Sequence, residues 1–175
     1  MSISPLAPDS FPDMPPVAGL SLATAASGMK YQGRDDVLLI CATPGSHFAG
    51  LFTRSDTAAA PVQWSQNRLA EGVCQTSPAA ILTNAGNANA FTGGKGHQAT
   101  MATADALAKA GNIDKNAILL ASTGVIGEPL DTDCLTAQIP HLLAHDTASW
   151  HDAAKAIMTT DTFAKGAHAH CDIDG

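Results

Sequence analysis

The sequence predicts a mixed α/β domain built in layers, on three observations. Apolar runs at Val37–Ala42, residues 79–83 and residues 116–121 read as strands buried on both faces. Stretches with helical periodicity, rich in alanine and leucine, follow at residues 97–110 and 132–144. Two of the strands run into loops of small polar residues, 84–94 and 122–127, and in α/β domains such strand ends carry the chemistry. The periodicity leaves a two-layer and a four-layer arrangement both open.

Taken in order, residues 1–16 contain Pro5, Pro8, Pro12, Pro15 and Pro16, which deny the backbone regular hydrogen bonding and predict an extended arm along the surface. The domain proper is expected over residues 17–175. Leu20, Leu22 and Ala23 lead into Ser27-Gly28-Met29-Lys30, and Gly33-Arg34-Asp35-Asp36 is a turn signal before the strand Val37–Ala42. Pro44-Gly45 ends that strand, and residues 49–53 are expected to pair with it. Residues 61–64 read as a third strand, with Ser65 capping a short helix over 66–71 that Gly72 closes. Pro78 precedes the strand 79–83. The helix 97–110, ended by Gly111, is expected to bury Ala99, Ala102, Ala106, Leu107 and Ala110, whose small side chains suit a sandwiched helix. After the strand 116–121 comes a helix over 132–144, kinked at Pro140, with Leu135, Ile139, Leu142 and Leu143 inward. Ser149 caps a last helix through Trp150, Ala153, Ala154, Ile157 and Met158, which stops at Thr159-Thr160-Asp161-Thr162. Residues 166–175 read as the start of a strand.

Hydrophobic residues make up 45% of the 175 and charged residues 14%, a thin charge density that predicts burial of part of the surface against another chain. Sixteen acidic against nine basic residues give a net charge of -7, which opposes binding to nucleic acid and to anionic membranes. Cys41, Cys74, Cys134 and Cys171 are dispersed, and Cys41 and Cys134 fall in apolar patterns where a free thiol behaves as a small hydrophobe. With no basic-then-apolar leader and no run long enough for a membrane span, a soluble chain in the reducing cytoplasm is expected.

Several constellations bear on chemistry. Thr123-Gly124, at a strand end with Gly127 following, offers a hydroxyl and an unshielded amide that can converge on one oxygen, as an oxyanion hole requires; an ordinary glycine turn has the same sequence. Asn84, Asn87 and Asn89, with Gly86, Gly93, Gly94 and Gly96, make a loop in which side-chain amides hold the backbone. Gly93-Gly94-Lys95-Gly96 lacks the spacer and the Lys-Ser/Thr pair of a phosphate-binding loop. The hydroxyls of Thr159-Thr160-Asp161-Thr162, beside Lys165, either bind a small polar substrate or satisfy the end of the helix. His141 and His145, and His168-Ala169-His170-Cys171, lack the partners a zinc site needs, so no metal is expected. No nucleophile stands out: there is no Gly-x-Ser-x-Gly elbow, activated cysteine or carboxylate pair.

Three ordered segments carry a resemblance: Asn84-Ala85-Gly86-Asn87-Ala88-Asn89-Ala90 with Thr92-Gly93, Ser122-Thr123-Gly124-Val125-Ile126-Gly127, and Ala156-Ile157-Met158-Thr159-Thr160-Asp161-Thr162. Together with Ala49-Gly50-Leu51-Phe52-Thr53 and Ala58-Ala59-Ala60-Pro61-Val62, they resemble the N-terminal part of the bifunctional ornithine acetyltransferase/N-acetylglutamate synthase family of arginine biosynthesis. The resemblance runs from about Pro15 to Lys165. Ala85 is one departure, at a position where the family commonly has serine.

That resemblance implies a DmpA/ornithine acetyltransferase-like α/β sandwich, completed by a β chain that the precursor releases by cleaving itself. The β chain's new N-terminal threonine would be the nucleophile missing here. The family's cleavage signature, Lys-Gly leading to Ala-Thr-Met, belongs beyond Gly175, so this sequence reads as an α chain shortened at its C-terminus. The resemblance further implies that Thr123 and Gly124 form the oxyanion hole, that Thr160 binds substrate, and that acetyl passes from N-acetylornithine to glutamate in an α2β2 cytoplasmic enzyme without a cofactor. Acetyl-CoA as a second acetyl donor stays open. A self-cleaving amidohydrolase or an acetyltransferase of secondary metabolism is the rival reading, and a non-catalytic small-molecule-binding module is the rival from another class.

Overall fold

The computed structural model describes residues 3–73 and 76–172, so Cys74 and the last three residues of the strand expected over 166–175 lie outside the described residues. Four strands, β1 (Leu20–Ala25), β2 (Val37–Ala42), β3 (Ala79–Asn87) and β4 (Ile118–Val125), form one mixed sheet in the order β1-β2-β3-β4. β1 and β3 both pair antiparallel with β2, while β3 and β4 are parallel. Parallel neighbours need a crossover, which is the helix α2 (Gly93–Gly111).

Period-two alternation sorts the strand side chains onto two layers. On one face Ala23, Val37, Leu39, Ala80, Leu82, Ile118 and Leu120 pack against Ala104 and Leu107 of α2. The same layer holds Leu135 of α3 (Thr132–Thr136) and Ile139 and Leu142 of α4 (Ile139–Ala144). On the other face Leu22 and Leu38 meet Ala153 and Ala156 of α5 (Trp150–Ala156). That helix covers only the β1–β2 side, so Ala121 of β4 is exposed and Thr123 is half-buried on the uncovered part of this face. The result is a mixed α/β architecture with one fully covered and one partly covered sheet face.

Helix α1 (Ala60–Glu71) corrects the expectation of a strand at 61–64 followed by a helix capped by Ser65. Pro61 sits in the first helical turn, where its missing N–H costs nothing and its fixed φ favours the helix. Ser65 is instead buried in mid-helix, where its hydroxyl donates to Leu120 O (2.8 Å) and accepts from Leu120 N (2.9 Å). Trp64 Nε1 donates to Ile118 O at 2.8 Å. Side chains of α1 thus satisfy the outer edge of β4, which would otherwise be a row of unpaired backbone groups. The C-terminal stop at Gly72, at φ 87, is as the sequence predicts.

Other boundaries differ. Residues 49–53 form no strand, because both edges of β2 are already occupied by β1 and β3, and Leu51 projects fully into solvent. β3 runs four residues past 83, so Asn84 to Asn87 are strand and not loop. Lys115–Ala117 is a 3-10 turn that delays β4 to Ile118. α2 begins at Gly93 and buries Gly96, Ala99, Thr100, Thr103, Ala104 and Leu107, whereas Ala102 and Ala110 are exposed. The true inward stripe mixes glycine, alanine and threonine, so an alanine-only reading of the periodicity is rotated off it. The helix is correspondingly not sandwiched, and Met101 stays half exposed. The expected kink at Pro140 is a break, since α3 ends at Thr136 and Pro140 opens the first turn of α4. Residues 166–172 contain no strand.

Helix α5 begins with a capping box: Ser149 Oγ accepts from Asp152 N at 3.1 Å, and the Asp152 carboxylate accepts from Ser149 N at 3.0 Å. The Ser149 hydroxyl, then its amide, hold the Asp152 carboxyl below the usual carboxylate range. Such a depressed pKa adds stability above the ordinary carboxylate pKa, and that stability is lost as pH falls through the folded value. Ser149→Ala is expected to cost about 1 kcal/mol in chemical denaturation at neutral pH. The difference from wild type should shrink in acid, where Asp152 is protonated in both proteins.

Residues 3–18 lie along the outside without helix or strand. Trp150 Nε1 donates to Pro15 O (3.1 Å), Phe11 stacks on His151 with ring centroids 4.7 Å apart, and Ser4 N donates to Thr162 Oγ1 (3.2 Å). The arm is therefore tied to α5 and the segment after it. Among the described residues, no helix is long and apolar enough to cross a membrane.

Candidate functional site at one end of the sheet

The sheet register brings distant parts of the chain to one end. Ala25 pairs with Val37, Val37 with Asn84, and Asn84 with Ser122. The 26–36 connection, the Asn84–Asn87 end of β3 and the Ser122–Val125 end of β4 therefore lie side by side.

Within β4, backbone groups alternate between the two edges. Ile118 O, Leu120 N and Leu120 O face outward to α1, whereas Val125 O accepts from Ala88 N (2.9 Å) on the inner side. The same alternation puts the Gly124 N–H on the outer edge, beyond the part that α1 covers. The Thr123 side chain, by parity with Leu119 and Ala121, lies on the partly covered face that α5 shares. Gly124 is exposed with φ 138, and a Cβ placed on it would lie 2.6 Å from both Asn87 N and Gly86 O. No other residue type fits there. The β3–β4 register shifts at the neighbouring Asn87, a bulge of the kind that re-aims backbone groups near sites.

A buried asparagine network fixes this strand end. Ser122 Oγ donates to Asn84 Oδ1 (2.6 Å), and Asn84 Nδ2 donates to Asn87 O (2.9 Å). Asn87 Nδ2 donates to Glu128 O (3.1 Å) and Pro129 O (3.2 Å), while Asn87 Oδ1 accepts from Asn89 N (2.7 Å). Asn89, 1% exposed at φ 45, donates from Nδ2 to Gly96 O and Thr100 Oγ1, both at 3.0 Å. These side chains do the scaffold work expected of the Asn/Gly segment. A Cβ at Gly96 would lie 2.7 Å from Asn89 Oδ1 and closer still to Thr92, so Gly96 makes room for this network, whereas an added Cβ at Gly93 or Gly94 would meet nothing within 4 Å.

The 26–36 connection, which the sequence presents only as a turn, packs beside the β3 end of the site. Buried Asp36 accepts from Ser27 N (2.6 Å) and Ser27 Oγ (2.9 Å), and Asp36 O accepts from Ala85 N (2.8 Å). Lys30 packs against Gly86 and pairs with Glu128 at 3.4 Å, just past the Thr123-Gly124 turn. Arg34 lies over the Tyr31 ring, 4.3 Å from its centroid, and donates from Nη2 to Lys155 O (3.1 Å) and Met158 O (2.7 Å) at the end of α5. That contact brings the Thr159–Thr162 segment to the same end of the sheet. Thr160 is exposed there. Next to it, a hydrogen bond and the charge of Lys165 hold the Asp161 carboxyl below the usual range. The only signals for Arg34 in the sequence are its scarcity in a charge-poor chain and the glycines around it, Gly28 at φ 73 and Gly33 at φ 71.

The remaining candidates lie elsewhere. His145 Nδ1 is 2.9 Å from His141 O with the two rings stacked, and His168 and His170 meet edge to face. No group of three or more potential metal ligands occurs among the described residues. Burial, and then the charge of Asp146, push the Cys41 thiol up, and its side chain packs against the core.

Comparison with known proteins identifies relatives of the chain. The ArgJ family model matches residues 21–175. The arginine biosynthesis bifunctional protein ArgJ of Nitrobacter winogradskyi is 51% identical over 169 residues, covering 96% of this chain and 40% of that protein. The protein of the same name from Rhizobium meliloti is 47% identical over 175 residues, covering 99% of this chain and 41% of that protein. The chain thus spans about two fifths of the length of these relatives. Among solved structures, ornithine acetyltransferase from Mycobacterium tuberculosis, complexed with ornithine, superposes with a TM-score of 0.74 at 38% identity, covering 82% of this chain and 77% of that one. The arginine biosynthesis bifunctional protein of Bacillus halodurans gives a TM-score of 0.70 at 30% identity, over 83% and 74% of the two chains. With its fold shared and nearly its whole length matched, the chain belongs to the ArgJ family.

Proposed function

We propose that this chain is the α part of a glutamate N-acetyltransferase that moves acetyl from N-acetylornithine to glutamate in arginine biosynthesis. The single observation that carries the reading is the end of β4: a threonine hydroxyl next to a glycine N–H on an uncovered strand edge, in a sequence that shows no Gly-x-Ser-x-Gly elbow, activated-cysteine pattern or carboxylate pair. Relatives named bifunctional arginine biosynthesis proteins, and a relative solved with ornithine, support the substrate class.

In this reading the nucleophile is the N-terminal threonine of a β chain cut from the same precursor, and two such αβ pairs form a cytoplasmic α2β2 enzyme. The threonine Oγ attacks the acetamide carbonyl carbon of N-acetylornithine while its own α-amine takes the proton. The carbonyl oxygen becomes an oxyanion, which accepts from Thr123 Oγ and Gly124 N. Collapse breaks the C–N bond, the ammonium returns its proton to the departing amine, and ornithine leaves an acetyl-threonine ester. The amine of glutamate then attacks that ester through a second oxyanion in the same hole, releasing N-acetylglutamate and the free threonine. Thr160 holds the polar end of the amino-acid substrate. No cofactor enters these steps, and acetyl-CoA could replace N-acetylornithine only as the acetyl donor.

The complete precursor, expressed and purified, tests the reading by intact mass and by product analysis. Two polypeptides, the second beginning with threonine, and N-acetylglutamate formed from N-acetylornithine and glutamate are the expected result. Acetate in place of N-acetylglutamate would make the protein an amidohydrolase. A single uncut, inactive chain would remove the catalytic reading altogether.

A further inference from the structure

We infer that Arg34 is a positioning residue for the substrate-binding segment, an inference that rests on the proposed role of Thr160. The last carbonyls of a helix have no partner within it, and α5 is only seven residues long, so its C-terminal end has little stiffness of its own. Lys155 O already accepts from Met158 N (3.2 Å), and Arg34 adds a charged side-chain donor both to it and to Met158 O. One guanidinium nitrogen spans Lys155 O and Met158 O, and its charge also suits the negative end of the helix. Met158 is two residues before Thr160, so the contact fixes the point from which the substrate threonine departs.

The guanidinium is itself held. It lies over Tyr31, whose ring edge is 3.1 Å from where a Cβ on Gly86 would sit, and Gly86 pairs with Gly124 across the β3–β4 register. Asp36 pins the root of the same connection to Ser27 and to Ala85 of β3. The 26–36 connection thereby links the strand end that presents Thr123 and Gly124 to the helix end that presents Thr160. Other side-chain ties on the segment, Ser4 N to Thr162 Oγ1 and Lys165 to Asp161, act beyond Thr160, whereas Arg34 joins the backbone bond of Met158 N to Lys155 O on its N-terminal side. A lysine at position 34 keeps the charge but cannot present the rigid planar fork, and a glutamine keeps an NH2 donor group without the charge.

The test uses the complete processed enzyme with Arg34→Ala, Arg34→Lys and Thr160→Ala. Amide hydrogen exchange over residues 156–163 should speed up by about tenfold in Arg34→Ala, as expected for loss of a charge-assisted hydrogen bond, and by less in Arg34→Lys. KM for the amino-acid substrate should rise by a similar factor, about tenfold, with kcat within about twofold of wild type. Adding Arg34→Ala to Thr160→Ala should raise KM no further, because the first change acts through the second residue. Unchanged exchange over 156–163, or a fully additive double variant, would overturn the positioning role. If Thr160→Ala leaves KM unaltered, the substrate role of Thr160 fails instead, and the exchange result still reports on Arg34. Should Arg34→Ala not fold, Arg34→Lys carries the same comparisons.

Discussion

Thr123→Ala in the complete enzyme is expected to lower kcat by about 10²- to 10³-fold while KM stays within about threefold. The hydroxyl is useful only when the substrate carbonyl becomes an oxyanion, so its removal should be felt in the transition state and not in ground-state binding. Stability should hardly change, since Thr123 is half-buried on the uncovered part of the sheet and the neighbouring network runs through Ser122 and Asn84. Thr123→Ser restores the hydroxyl and should recover most of the rate. Thr123→Val keeps the shape without the hydroxyl and should behave like alanine. Steady-state kinetics of acetyl transfer checks all three, and a Thr123→Val enzyme with wild-type kcat would take the residue out of the mechanism.

How far the sequence discloses this site depends on the kind of interaction. β2 and the first half of β3 are legible because burial on both faces leaves continuous apolar runs, and Ser149 is legible because capping is local. Thr123 and Gly124 stand out for the same local reason, at the point where an apolar strand meets a glycine turn. The start of α1 is obscured by Pro61 and Val62, which read equally as an edge strand, and only the outer edge of β4 explains why Ser65 lies in mid-helix. Residues 49–53 look like a strand because apolar alternation does not say whether an edge is free to pair. The inward stripe of α2 is misjudged because Thr100 and Thr103 are buried with their hydroxyls donating to Gly96 O and Ala99 O, so their polarity does not mark solvent. The 26–36 connection is the largest omission. Its role arises from contacts between Arg34 and carbonyls more than a hundred residues away, and backbone acceptors carry no sequence signature.

Gly124→Ala should be the most damaging single change at the site, because it strikes backbone and not a side chain. The added Cβ would lie 2.6 Å from Asn87 N and Gly86 O, inside any normal contact, and the φ of 138 is strained for alanine regardless of space. Neither Gly86 nor Asn87 can yield cheaply. Gly86, at φ 97, already has Lys30 and Tyr31 against it, and Asn87 is tied through its side chain to Glu128 O and Pro129 O. Relief therefore requires β3 and β4 to part at their ends, which would open the asparagine network and misdirect the amide of residue 124. A destabilisation on the order of 4 kcal/mol is expected, together with loss of activity beyond that of Thr123→Ala. Gly127→Ala is the matching control: its φ of 81 is equally unsuited to alanine, but nothing lies within 4 Å of the added Cβ. It should cost only about 1 kcal/mol, the strain of the left-handed backbone alone. Thermal unfolding of the two variants beside wild type separates the contributions. Equal losses would mean that backbone strain, and not the close approach of β3 to β4, sets the requirement for glycine at 124.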